Sequence, residues 1–141
     1  MALLSAPAAT WSTKLPVVAL VAADLEPRGR SRYPLRLNAG LASAGFQPLV
    51  VCRQICDPED RRLLPRAIER PELKVPIWGW WIEGELIDEL KAKKVEVVHA
   101  VVPSAASFAR RLADALEAPL VVSVHDFLRP KDRFRFTPKH G

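Results

Sequence analysis

The sequence predicts an α/β protein, a mostly parallel sheet with helices on both faces. Apolar, valine-rich runs recur along it: LPVVALVAA at 15–23, FQPLVVCR at 46–53, VEVVHAVV at 95–102 and APLVVSVHD at 118–126. Each has the length and composition of a strand buried on both faces. Between them lie stretches whose apolar residues return every three or four positions, as one face of a helix does. The last two runs stand about one helix length apart, so Val95 to Asp126 reads as a strand, helix, strand unit with parallel strands.

The elements follow in order. Pro16 fits only at the start of the first strand, where no ladder hydrogen bond is lost. DLEPRGRSRY is a loop, and a helix then runs from about Ser31 to Ala44. Ser31 is a suitable N-cap, Pro34 is tolerated in the first turn, and Tyr33, Leu37, Leu41 and Ala44 share a face. Gly45 is placed to end that helix in a left-handed conformation. Pro48 restricts the second strand's opening to an entry or edge position. Asp57 to Arg70 opens on an Asp-Pro turn signal and has room for a helical turn or two, since Pro65 breaks anything longer. PELKVPIW, Pro71 to Trp78, is expected as a third strand compromised by Pro76. IEGELIDELKAKK then puts Ile82, Leu86, Ile87 and Leu90 on one stripe, with lysines in the last turn where the helix dipole favours them. The alternation of strands and helices is what predicts a parallel sheet.

Composition bounds the function. The chain has 141 residues, 49% hydrophobic and 26% charged, enough for one domain with its own core. Its net charge of +5 suggests nucleic acid until it is located. Phe127 to Gly141 holds five basic residues against one acid, and the remaining 126 residues are nearly balanced at sixteen basic and fifteen acidic. The basicity belongs to the tail, so no nucleic-acid partner is expected. Cys52 and Cys56 lack both a second pair for zinc and the spacing of a redox motif, and read as reduced thiols of a cytoplasmic protein. No run approaches the roughly 18 apolar residues of a membrane span. Residues 1–14, without a basic start or continuous apolar stretch, read as a loose N-terminal arm and not a secretory signal.

Four stretches could carry chemistry. Arg28, Arg30, Arg32 and Arg36 surround Gly29 just before a helix, which suits either an anion site or a solvated basic loop. The dinucleotide fingerprint of spaced glycines is absent there, which argues against a dehydrogenase. His99 and His125 end the two strands of the central unit and would emerge at the same carboxyl edge, where ligands of open α/β sheets bind. Each could equally bond a loop carbonyl, while Asp126 could cap a turn or bind a hydroxyl. His99, His125 and His140 have no paired ligand spacing, so no metal is expected. PIWGWW, with three of the four tryptophans, suits core packing, sugar stacking or a membrane interface. KDRFRF in the tail suits nucleic acid or the start of a further element.

SRYPLRLNAGLASAGFQPLVV and VEVVHAVVPSAASFARRLADALEAPLVVSVHD, with the residues between them, resemble the N-terminal domain of a family 4 glycosyltransferase of the GT-B type. The resemblance covers roughly Leu15 to Pro130. It implies a Rossmann-like three-layer α/β/α domain, at residues 15–130, that holds the acceptor while a sugar moves from a nucleotide-sugar donor with retention at the anomeric carbon. By position, Gly29, Arg30 and Ser31 would face an interdomain cleft, and His99 with Pro103 and Ser104 would line the acceptor pocket. His125 matches a histidine close to the transferred sugar, where it would orient a hydroxyl and support developing charge, with Asp126 beside it. Such enzymes continue into a donor-binding domain, so the resemblance implies a fragment inactive alone, residues 131–141 beginning a truncated continuation. Its expected partners are a sugar or lipid-linked acceptor and the missing domain or a partner chain, with peripheral contact at the inner membrane face and no cofactor besides the donor. The alternative reading is a stand-alone subunit or module that binds a phosphorylated ligand and works with a separate chain.

Overall fold

The computed structural model describes residues 15–26, 32–74 and 76–124. The expected N-terminal arm and basic tail lie outside the described residues. The strands are β1 (Val17–Val21), β2 (Asp24–Leu25), β3 (Gln47–Cys52), β4 (Gln54–Ile55), β5 (Ile68–Glu69), β6 (Val95–Ala100) and β7 (Leu120–Val122). The helices are α1 (Arg32–Ser43), α2 (Pro58–Leu63), α3 (Pro76–Ala92) and α4 (Ala106–Leu116), with 3-10 turns at Pro71–Lys74 and Pro103–Ala105. Five strands form one parallel sheet in the order β5-β3-β1-β6-β7, and β2 pairs with β4 as a short parallel continuation of the β1–β3 pairing. This is the Rossmann-like arrangement that the alternating pattern predicts.

Period-two alternation divides the strands between two cores. Val17, Ala19 and Val21 of β1 turn to the face where Leu86 and Leu90 of α3 and Leu112 of α4 are packed. Val18 and Leu20 turn to the other, where Tyr33, Leu37 and Leu41 of α1 lie. In β6 a register irregularity pairs Val17 with Val95 but Val18 with Val97, skipping Glu96. The extra residue inverts the parity of everything after it. Val98 and Ala100 therefore join Val95 in the first core, and Val97 and Val101 border the second. His99, between Val98 and Ala100, belongs to the second face. The bulge thus decides which side of the sheet receives the histidine.

Several local expectations hold. Gly45 has φ +90° and ends the polypeptide turn after α1, with Phe46 N–H donating to Leu41 O (2.9 Å) and Gly45 N–H to Ala42 O (3.3 Å). These are the paired bonds of a Schellman cap, which needs a left-handed residue at that point. Asp57 caps α2, its Oδ1 accepting from Glu59 N–H at 3.0 Å. Leu86 and Leu90 on the expected stripe of α3 are completely buried. Ala44 falls beyond α1 and is exposed, so the apolar face of that helix ends at Leu41.

The third strand is corrected. The described residues of PELKVPIW form no strand; they give a 3-10 turn and the start of α3, while β5 lies just upstream at Ile68–Glu69. Proline explains the displacement. Pro71 and Pro76 are an odd number of residues apart, so as a strand they would delete a ladder donor toward each neighbour, whereas Pro76 at a helix start deletes a donor that has no partner there anyway. The side chains of the PIWGWW cluster lie outside the described residues.

Candidate functional site

From β1 the sheet is built outward through β3 and β5, then resumes on the other side of β1 with β6 and β7. The order reverses between β1 and β6, and chains leaving their carboxyl ends part to opposite faces. A crevice at such a reversal is where open α/β sheets hold ligands. His99 sits beside it, opposite Leu20 of β1 and Val121 of β7.

Three elements meet at its imidazole. His99 Nε2 lies 2.6 Å from Ser123 Oγ, and Tyr33 OH lies 3.1 Å from the same oxygen. Ser123 follows β7 directly and is fixed by its own N–H donating to Ala100 O at 2.9 Å. Tyr33 comes from the first turn of α1. All three side chains are half-buried, so the cluster is ordered by packing yet within reach of solvent. An imidazole, a serine hydroxyl and a phenol each donate and accept, which is the equipment for recognising a polyhydroxylated ligand.

Ion pairs surround this edge. Asp60 of α2 is only 1% exposed, and Arg32 grips it with Nη1 3.0 Å from Oδ1. That corrects part of the basic-loop reading: Arg32 is committed to a buried carboxylate, while Arg36 is exposed. Arg53 Nε lies 3.4 Å from Asp24 Oδ1. Glu69, at the end of β5, accepts from Ile55 N–H at 2.8 Å and from Arg61 at 3.0 Å. The backbone bond, helped by Arg61 and opposed by partial burial, holds its carboxyl below the ordinary 4.5. Burial, with Glu69 and Asp24 adding to it, pushes the Cys52 thiol up to about 12. Cys52 is thus an inert core thiol rather than a nucleophile, and Cys56 is exposed. Among the described residues no group of His, Cys, Asp or Glu is arranged to hold a metal ion.

Of the residues singled out by sequence, His99 is at the crevice, and Ser104 lies exposed in the 3-10 turn that follows β6 at the same edge. Gly29, Arg30, Ser31, His125 and Asp126 lie outside the described residues. Sequence reasoning missed the meeting of Tyr33 and Ser123 beside His99. Tyr33 falls on the apolar face of α1 and counts as core by spacing, although its hydroxyl demands a partner once partly buried. Ser123 interrupts an apolar strand run, LVVSV, and that polar intrusion was the available signal. A cavity of about 570 Å³ opens at the opposite, amino edge, between Phe46, Gln47, Pro48 and Arg66. It faces away from these groups, and its lining offers Arg66 as its charged side chain.

A model of glycosyltransferase family 4 matches residues 27–140, which is most of the chain. The chain belongs to glycosyltransferase family 4. No curated protein and no solved structure matches it. The family 4 assignment agrees with the resemblance drawn from SRYPLRLNAGLASAGFQPLVV and the central unit, and with the Rossmann-like sheet. Among the described residues of this family 4 chain, no helix is long and apolar enough to cross a membrane.

Proposed function

We propose that this chain is the acceptor-holding half of a retaining GT-B glycosyltransferase. In this reading a sugar or lipid-linked acceptor lies across the carboxyl edge at the β1/β6 crevice, against His99 and the turn containing Ser104. His125 orients a hydroxyl of the transferred sugar, with Gly29, Arg30, Ser31 and Asp126 bordering the cleft. The nucleotide-sugar donor is held by a second unit, in the same polypeptide or a partner chain. That unit supplies the cations for the leaving diphosphate, the electrostatic contribution that usually dominates such transfers. The enzyme works in the cytoplasm, with peripheral contact at the membrane when the acceptor is lipid-linked.

One observation supports this best. In a family 4 chain, the convergence of His99, Ser123 and Tyr33 falls where the strand order reverses, and all three can both donate to and accept from hydroxyls. Ligand-observed NMR with glucose, galactose, mannose, N-acetylglucosamine and lactose tests it, with nucleoside diphosphates as the contrasting set. At least one sugar is expected to bind the chain, with affinity at least tenfold weaker in His99→Ala, and the nucleotides are expected not to bind. Binding of a nucleoside diphosphate alone, unaffected by His99→Ala, would reverse the reading and make this the donor side.

A further inference from the structure

The amino edge of the sheet takes its shape from the residues that end α1. Gly45 turns the chain out of the helix, Phe46 is left exposed, and Gln47 enters β3 with its N–H donating to Pro16 O at 2.8 Å. Pro65 and Arg66 carry the chain from α2 to β5 on the other side of this corner. The cavity of about 570 Å³ between them is joined by a second of about 490 Å³, and Gln47, Pro48 and Arg66 belong to the walls of both. Each volume falls in the range of small-molecule sites. Ala42, Phe46, Pro48 and Pro65 make much of the first wall apolar, and the second hollow adds Lys93.

Charge sets this edge apart. No aspartate or glutamate lines either hollow, and Glu96, the exposed acid near the start of β6, lies outside both linings. Arg61, Arg62 and Arg70, neighbours of Arg66 in sequence, hold Glu69, Glu59 and Glu89. Arg66 and Lys93 hold no carboxylate among the described residues. A lysine just past the end of α3 is accounted for by the helix dipole, so the argument rests on Arg66. A guanidinium without a carboxylate, set beside apolar walls, matches a ligand with two unlike halves. Its head would be an anion that two N–H donors can grip, and its body would leave water for the apolar wall.

We propose that the amino-edge hollow is a second binding site, for a small carboxylate on an apolar body, with the head at Arg66 and the body against Phe46, Pro48 and Pro65. Its walls contain no imidazole and no hydroxyl side chain, so it is unlike the His99 crevice in chemistry as well as in place. The proposal goes beyond the acceptor reading and does not depend on it.

Backbone amide NMR of the whole chain with octanoate, 1-octanol and acetate tests this, because octanol keeps the body and acetate keeps the head. Octanoate is expected to bind saturably, with shifts at Phe46, Gln47, Arg66 and Lys93. It should bind about fivefold more tightly than 1-octanol, the upper range for an exposed ion pair. Acetate should bind at least about tenfold more weakly than octanoate, having no body to bury. Arg66→Gln, at an exposed position where no ion pair is broken, should abolish the advantage of octanoate and leave the affinity for 1-octanol unchanged. Absence of saturable octanoate binding overturns the proposal, as does equal affinity for octanoate and 1-octanol in the wild type. So does an undiminished advantage in a folded Arg66→Gln protein, or octanoate shifts centred on His99 and Ser104. None of the probes is a sugar, so failure here leaves the acceptor reading to its own test, and failure of that test leaves this site standing.

Discussion

On one face of the sheet, α3 and α4 bury Leu86, Leu90 and Leu112 completely against small and β-branched strand residues. On the other, α1 and α2 bring Tyr33, Arg32 and Asp60 to a core that also receives Cys52 and borders His99. The sheet between them is the same. The difference shows a division of labour within one fold. The first face packs mainly through contacts that need no direction, with the ion pairs Arg111–Glu83 and Arg70–Glu89 at its half-exposed rim, and the second adds the directional bonds that place side chains at the carboxyl edge.

The largest effect should come from the apolar face. Leu112→Ala removes a fully buried side chain and leaves a cavity, with an expected loss of about 3 kcal/mol in denaturant unfolding, while His99 signals in the folded protein stay in place. Arg32→Ala, on the other face, leaves Asp60 buried without this partner and should cost about 2 kcal/mol. The double variant Arg32→Ala with Asp60→Ala should recover part of that loss, and a fully additive loss would show that the pair acts through something other than charge compensation.

Helix ends sharpen the comparison further. α4, on the apolar face, closes with the same pair of bonds as α1, Ala118 N–H to Ala113 O and Glu117 N–H to Asp114 O, but its left-handed residue is Glu117 at φ +53°. Glu117→Gly relieves the left-handed strain at some cost in unfolded-state freedom and should raise stability by about 0.5 kcal/mol. The smallest effect concerns Glu69. Its folded carboxyl is held below the ordinary 4.5, so the stability it contributes is complete above the unfolded pKa and is lost as pH falls through the lowered folded one. Unfolding measured from pH 6 downward should therefore decline less steeply in Glu69→Gln, and parallel curves would mean that Arg61 and Ile55 do not favour its charged form.

Much of this was legible in the sequence, for physical reasons that can be assigned. Valine-rich runs and three- to four-residue spacing marked β1, β3, β6, β7 and the helices between them, because burial on two faces or one leaves that periodicity in composition. Gly45 marked the end of α1 because only a left-handed residue closes that turn. β5 escaped notice because Ile68–Glu69 is too short to show a period, and PELKVPIW carried a strand-like apolar content that its prolines forbid. His99 could be placed at the crevice, but its face could not, since the bulge that skips Glu96 has no signature in residue type. Tyr33 and Ser123 lie ninety positions apart, and their meeting is a product of sheet order that no local pattern encodes.

The claim at the centre is that sugar recognition belongs to the carboxyl edge and not to the cavity at the amino edge. Backbone amide NMR of the chain titrated with the tightest-binding sugar of the panel compares the two edges directly. The account predicts shifts concentrated at Ala22, His99, Val101 to Ser104 and Ser123, with Phe46, Gln47 and Arg66 unmoved. Shifts centred on Phe46, Gln47 and Arg66, with the His99 cluster silent, would contradict it.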